Sequence, residues 1–295
     1  MPLLDKLREQ YGVGPLCSEL HIAPSTYYHC QQQRHHPDKR SARAQRDDWL
    51  KKEIQRVYDE NHKVYGVRKV WRQLLREGIR VARCTVARLM AVMGLAGVLR
   101  GKKVRTTVSR KTVAAGDRVN RQCVAERPDQ LWVADFTYVS TWQGFVYVAF
   151  IIDVFAGYIV GWRVSSSMET TFVLDALEQA LWARRPSGTV HHSDKGSQYV
   201  SLAYTQRLKE AGLLASTGST GDSYDNAMAE SINGLYKAEV IHRKSWKNRA
   251  EVELATLTWV DWYNNRRLLG RLGHTPPAEA EKAYYASIGN NDLAA

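Results

Sequence analysis

Long apolar runs are missing from this 295-residue chain. Its most apolar stretch, Phe145 to Trp162, is interrupted by Asp153 and Gly157 and is rich in Val, Ile, Tyr and Phe. It reads as two buried strands rather than a membrane span. No leader is expected, because Asp5, Lys6, Arg8 and Glu9 stand where an apolar segment would be needed. Cysteine is sparse. Cys17, Cys30, Cys84 and Cys123 are scattered, with no C-x-x-C pair among them. A disulfide framework is therefore excluded, and a reducing, cytoplasmic setting is expected. Adding His21 and His29 to Cys17 and Cys30 gives no two tight ligand pairs, which argues against zinc.

Negative charge is the other shortage, and it is local. Residues 1–125 hold 26 Lys and Arg against 11 Asp and Glu, whereas residues 126–295 hold 16 against 19. The whole chain carries +12, with a pI near 9.5. A basic front half on a near-neutral back half is a footprint of nucleic-acid binding. A plain solubilising excess is the blander reading. With 44% hydrophobic residues, the chain can build one good-sized core plus one or two small appended domains.

The pattern along the chain divides it. Residues 1–45 read as short helices and a polar linker over 31–46, with Ser25 as a candidate cap after the break at Ala23-Pro24. A helix is expected from Asp47, with Trp49, Ile54, Val57 and Tyr58 inward. Within 46–99, Val67, Val70, Trp71 and Leu74 repeat at helical spacing, as do Val86, Leu89, Met90 and Met93, across a Gly78-Ile79 turn. Two such helices in a basic setting suggest a helix-turn-helix, with Arg83, Thr85 and Arg88 placed to face a major groove. An ordinary helical hairpin fits the same pattern. Residues 100–125 form a basic linker, where Lys102, Lys103 and Arg105 would lie on phosphates. Residues 126–285 alternate strands and helices, Tyr224–Val240 and Arg249–Asn264 being the last two long helices, and 286–295 read as a tail. The expected fold is α/β, a mixed sheet with flanking helices behind a small all-α region.

Three acids stand out. Asp135 interrupts the apolar strand Trp132-Val133-Ala134-Asp135-Phe136, where an acid is unfavourable without a partner. Asp194 follows a strand in His192-Ser193-Asp194-Lys195-Gly196, and strand ends are where α/β sites collect. Glu230 sits within a helix, in Asp225-Asn226-Ala227-Met228-Ala229-Glu230. Converging carboxylates are the ligands that hard divalent cations prefer, and phosphoryl transfer uses such cations. Lys237 lies seven residues after Glu230, on the same helix face, where it could hold a phosphate. Singly, Glu230 reads equally as a solvated helix residue, Asp194 as a loop acid and Lys237 as a surface lysine pairing with Glu239. Asp153 is a second strand acid that either pairs structurally or supports the site.

In order and in register, these pieces resemble bacterial insertion-sequence transposases of the DDE type, whose catalytic core is retroviral-integrase-like. More narrowly, the chain is similar to the second-reading-frame product of elements whose full transposase is a frameshift fusion. The matching segments are Trp132-Val133-Ala134-Asp135-Phe136-Thr137-Tyr138, His192-Ser193-Asp194-Lys195-Gly196-Ser197-Gln198-Tyr199 and Asp225-Asn226-Ala227-Met228-Ala229-Glu230-Ser231, with Lys237 beyond. Tyr65-Gly66-Val67-Arg68-Lys69-Val70-Trp71 matches upstream. Trp262-Tyr263-Asn264-Asn265-Arg266-Arg267 and His274-Thr275-Pro276-Pro277 match downstream. The resemblance covers roughly residues 15–285. It implies a ribonuclease-H-like core, with Asp135, Asp194 and Glu230 as catalytic and metal-holding residues. It also implies two Mg²⁺ or Mn²⁺ ions, and cleavage and strand transfer at transposon ends. The implied partners are terminal inverted repeats, target DNA, further copies of the chain on DNA, and an upstream-frame product fused or associated. A bacterial, nucleoid-associated location without membrane contact goes with them. Ala82 departs from the pattern, since a capping Ser is usual before the second helix. A nuclease that cuts without joining uses the same acids, and a non-enzymatic DNA-binding regulator would have no need of them.

Overall fold

The computed structural model describes residues 2–99, 124–194, 196–217 and 227–292. The front is helical: α1 (Pro2–Tyr11), α2 (Val13–Glu19), α3 (Pro24–His35), α4 (Ala42–Glu60), α5 (Val67–Arg76) and α6 (Arg83–Val92). Leu4, Cys17 and Tyr27 form a small core of their own under α1–α3. Ser25 is not the cap expected of it. Ala23 takes that position and Pro24 opens the helix, where its fixed φ suits the first turn. The polar linker is also shorter than its composition suggests. Helix α3 runs on to His35, and Ser41 caps α4, its hydroxyl accepting from the Ala44 N–H at 3.3 Å. Along α4, Leu50, Ile54 and Val57 are buried, while Trp49 is 48% exposed. Trp49 lies one residue off the inward stripe, and one residue is about 100° of helix rotation.

Helices α5 and α6 pack against α4 through Val70, Leu74, Val86, Leu89 and Met90. The turn between them is held by the Trp71 indole N–H donating to the Val81 carbonyl at 2.8 Å. Ala82 precedes α6 and supplies no side-chain cap. This helical unit shares one continuous hydrophobic cluster with the back half. The Tyr65 hydroxyl accepts from the Leu268 N–H at 2.8 Å, and the Trp262 indole donates to Asn61 at 3.1 Å.

The back half is built on a five-stranded sheet of order β3-β2-β1-β4-β5. Its strands are β1 (Leu131–Thr141), β2 (Gly144–Asp153), β3 (Tyr158–Ser165), β4 (Val190–Ser193) and β5 (Leu214–Thr217). The first three pair antiparallel, and β4 and β5 run parallel to β1. Helices α7 (Thr170–Arg184) and α8 (Leu202–Glu210) cover one face. Helices α9 (Ala227–Glu239) and α10 (Arg249–Asn265) cover the other. This is the expected α/β mixed sheet with flanking helices. No helix among the described residues is long and apolar enough to cross a membrane. Helix α10 is not the last long one: α11 (Pro277–Asp292) follows, so the expected tail is helical as far as Asp292. Its Ala, Glu and Lys content favours helix, and Glu281 anchors it by accepting from the Arg184 guanidinium at 2.8 and 3.0 Å.

Asp153 belongs to the structural reading rather than to a site. It is fully buried opposite Trp132, accepting from the Asp129 N–H at 2.5 Å and the Phe155 N–H at 2.9 Å. Burial pushes its carboxyl up to about 7 from an ordinary 3.8, opposed by those two hydrogen bonds and reinforced by Asp129 and Glu281. Between about pH 4 and 7 the folded chain therefore keeps a proton that the unfolded chain has lost. Stability contributed by Asp153 falls as pH rises through that window and is level above it. Asp153→Asn should flatten the slope of unfolding free energy over that range by up to one proton, about 1.4 kcal/mol per pH unit. Urea unfolding across the window measures it, and an unaltered slope would mean that Asp153 is ionised in the fold.

Candidate active site

The β1–β4 register brings two of the three acids together. The last parallel pair is Ala134 with Ser193. Asp135 and Asp194 are the next residue on each strand, so they emerge side by side, about 4.8 Å apart in backbone, where β4 ends. The turn beyond Asp194 is tight. The Gly196 N–H donates to Asp194 Oδ1 at 2.9 Å, and a Cβ on Gly196 would sit 2.9 Å from that oxygen. A larger residue there would push the carboxylate away.

Glu230 arrives from above on α9. Ile232, Tyr236 and Glu239 are buried on one face of that helix. Glu230, Asn233 and Lys237 recur at three- and four-residue spacing on an adjoining face. Asn233 makes the contact to the strand, its amide N–H donating to Asp135 Oδ2 at 2.9 Å. The other Asp135 oxygen accepts from the Phe136 N–H at 2.8 Å. Burial pushes Asp135 up to about 7, the Asp194 charge adds to that, and the Glu230 charge adds a smaller part. The two hydrogen bonds act the other way. Asp194 reaches the surface, yet the protein crowded around it still raises its pKa, against the Gly196 N–H and the His192 charge. Asp135 thus senses both of the other carboxylates.

Sequence reasoning passed over two neighbours of this cluster. Asn233 was recoverable from its position three residues after Glu230. Its Oδ1 is buried and has no hydrogen-bond partner among the described residues. Tyr199 carries a buried hydroxyl without a partner among the described residues, and its pKa is raised by burial, by Tyr204 and then by the Asp135 and Asp194 charges. Nothing in the local pattern distinguished Tyr199 from an ordinary core tyrosine.

The basic candidates are placed differently from one another. Lys237 lies over the Tyr138 ring, its Nζ 5.1 Å from the centroid. Glu239, its suggested partner, is instead locked in a buried pair with Arg267 and also accepts from the Trp259 indole at 3.1 Å. Arg83 is exposed at the start of α6. Thr85 and Arg88 line a cleft of about 590 Å³ with Arg43, Arg46 and Arg80. Arg88 is already engaged there, donating to both Asp47 oxygens at 2.8 and 2.9 Å. Lys102, Lys103 and Arg105 lie outside the described residues, as does Lys195.

Three family models match the chain: an HTH-like domain over residues 45–103, and two descriptions of an integrase core domain over 125–223 and 211–277. A transposase for insertion sequence element IS629 from Shigella sonnei is 98% identical over the full length of both chains. The chain belongs to the insertion-sequence transposases. A putative transposase for IS986/IS6110 from Mycobacterium tuberculosis is 53% identical over 90% of this chain and 96% of its own. The catalytic core domain of HTLV-2 integrase aligns with 53% of this chain and 98% of that one, at 13% identity and a TM-score of 0.41. As a transposase with an integrase core, the chain is a DNA-binding polynucleotidyl transferase that acts in DNA transposition.

The Asn233 contact yields a test for the transposase. Removing the donor with Asn233→Ala frees Asp135 to turn, and supporting groups of this kind are typically worth 10–100-fold in activity. Cleavage should fall by at least about tenfold while DNA affinity stays within about twofold. Paired cleavage and binding titrations read both. Undiminished cleavage would show that Asn233 merely fills space.

Proposed function

We propose that Asp135, Asp194 and Glu230 are the catalytic acids with which this transposase cuts transposon ends and joins them to target DNA. The observation that carries the reading is the β1–β4 register, which sets Asp135 beside Asp194 at a strand end within the field of Glu230. Among the described residues no three acids, histidines or cysteines are drawn into a ready-made metal shell. The donor set nevertheless suits hard divalent cations. It is all oxygen, and the burial that chiefly raises the Asp135 pKa, with the Asp194 and Glu230 charges adding to it, is an unfavourable setting for an anion that a cation would relieve. Mg²⁺ or Mn²⁺ held by the three carboxylates would neutralise charge on the scissile phosphate and activate the attacking oxygen.

The remaining work falls to the protein. Asn233 holds Asp135 in one orientation, and the Gly196 N–H does the same for Asp194. Lys237, about 10 Å along α9 from Glu230, is within side-chain reach of a phosphate near the scissile bond. We assign duplex binding to the 46–99 region and to the basic residues flanking it. Arg83 and Thr85 are its groove-facing groups, and Arg88 joins them when it leaves Asp47. Lys102, Lys103 and Arg105 carry the phosphate contacts of the linker. Two ends cut and joined in concert call for more than one copy on DNA, and the upstream-frame product would join that assembly.

Asp135→Asn, Asp194→Asn and Glu230→Gln each keep shape while removing one anionic ligand. Each should abolish Mg²⁺-dependent cleavage of an end substrate and leave DNA binding nearly intact. Near wild-type cleavage by any one variant removes that residue from the site. The same assay with pre-cut ends tests joining, and cutting without joining would favour a nuclease.

The +15 excess of residues 1–125 predicts steep salt dependence for the full chain on duplex DNA. Six or more phosphate contacts should cost on the order of 10³-fold in affinity between about 50 and 200 mM salt. A flat response in a fluorescence-anisotropy titration would show that this charge is solvated surface.

A further inference from the structure

The β1–β2 hairpin ends in a cluster of aromatic rings that the fold does not use. Trp142 is 74% exposed, Phe145 57% and Tyr138 56%. Tyr138 and Phe145 meet edge to face across the strands, with centroids 5.7 Å apart. Trp142 occupies the first position of a two-residue turn between Thr141 and Gly144. Such turns ordinarily take Asn, Asp or Gly, and Gly144 supplies the positive φ, +116°. The turn is closed by the Thr141 hydroxyl donating to the Gly144 carbonyl at 2.7 Å. None of this needs an indole, and leaving one in water is unfavourable.

What surrounds the rings is basic. The Trp142 N–H donates to the Trp246 carbonyl at 3.0 Å, which pins the tip to the segment His242-Arg243-Lys244-Ser245-Trp246-Lys247. His242, Lys244 and Lys247 are exposed there, and Lys244 lies over the Trp246 ring at 4.3 Å. Arg243 is turned away to the His62 carbonyl. Lys237, on the same helix as Glu230, lies over Tyr138. Two acids of α9 and α10 are committed. Glu239 is held by Arg267, and Glu251 accepts from the Lys247 N–H at 2.9 Å. Exposed rings interleaved with lysines are the surface that binds unpaired nucleic-acid bases, by stacking on the rings and pairing the backbone with the cations.

Lys237 joins the platform to the acidic site, since it shares α9 with Glu230 and lies over the Tyr138 ring. Tyr138 is three residues beyond Asp135, an odd offset that turns its ring to the other face of β1, and Trp142 follows seven residues on in the turn, about 10 and 23 Å along the strand direction. That corresponds to roughly three and seven stacked base steps at 3.4 Å each. We propose that Tyr138, Trp142 and Phe145, with Lys237 and Lys244, form a stacking site for unpaired DNA bases leading away from the scissile phosphate. The inference rests on the DNA-cutting reading of the acids and adds that the bound strand is locally single-stranded.

The test compares three DNA probes on the full chain in Ca²⁺ or without metal. One is a blunt duplex. The second is the same duplex with a short unpaired tail carrying 2-aminopurine, and the third is a hairpin-capped duplex with a central mismatch bubble. Wild type should bind the tailed duplex about tenfold more tightly than the blunt one and quench the 2-aminopurine. Trp142→Ala should lose that preference and the quenching, and Trp142→Phe should restore most of both. A preference confined to the tail marks a transposon end as the source, and an equal preference for the bubble marks distorted target DNA. Retained preference and quenching in Trp142→Ala would overturn the proposal. So would a change in sedimentation of the DNA-free variant, which would make the tip a contact between protein copies. Parity between tailed and blunt duplex in wild type refutes the stacking site alone, whereas no binding to any probe refutes the DNA-cutting reading itself.

Discussion

Everything at the candidate site depends on one strand register. Because β4 runs parallel to β1 and stops opposite Ala134, the residues that follow on each strand are both aspartates, and they meet where the sheet opens. A slip of one residue would turn Asp135 to the other face, toward Phe172 and Tyr199, and separate it from Asp194. The register is held by burial on both faces. Val133 packs under α9 and α10 while Trp132 and Ala134 pack under α7 and α8. Antiparallel pairing with β2 over ten residue pairs fixes β1 from its other edge.

Crowding like charges is unfavourable, and the fold offsets it with fixed donors and a rigid helix. Asp135 takes one hydrogen bond from the strand and one from Asn233, and Asp194 takes one from its own turn. Helix α9 can hold Asn233 and Glu230 in place because its far end is bolted down. Tyr236 bonds Thr256 at 2.7 Å and stacks edge to face on Phe150 and Trp259. Glu239 accepts from Arg267 and Trp259 in the buried interior. Losing one member of such a buried pair leaves an uncompensated charge, so this anchor is costly to disturb and orients the whole acidic face.

The helical front is not a detachable module. Asn61, Tyr65 and Trp262 join α4 and the α4–α5 turn to the end of α10 through hydrogen bonds and ring contacts, inside one continuous core. A DNA duplex engaged by the α5–α6 region is thereby held at a set position relative to the acids. The Arg88–Asp47 pair sits within the basic cleft of that region. Arg88 is the more exposed member of that pair, and under the proposed duplex contact it would exchange Asp47 for a phosphate.

Sequence alone determined most of the local elements and singled out the three acids as candidates. Helical spacing of Val70, Leu74, Val86, Leu89 and Met90 specified α5 and α6, since one buried face recurs every 3.6 residues. A carboxylate inside an apolar strand marked Asp135, because no isolated charge is stable there. Boundaries that rest on competition were not legible. Pro24 displaced Ser25 at the start of α3, Trp49 fell just outside the inward stripe, and α11 carries too weak a periodicity to be seen before Arg184 binds Glu281. Only the tertiary structure decided that Asp135 and Asp194 are neighbours, that Asn233 steadies one of them, and that Lys237 rests on Tyr138 rather than on Glu239. Those pairings join residues 59, 98 and 99 positions apart in the chain. Such distances are closed by sheet order and helix packing, and no local pattern encodes them.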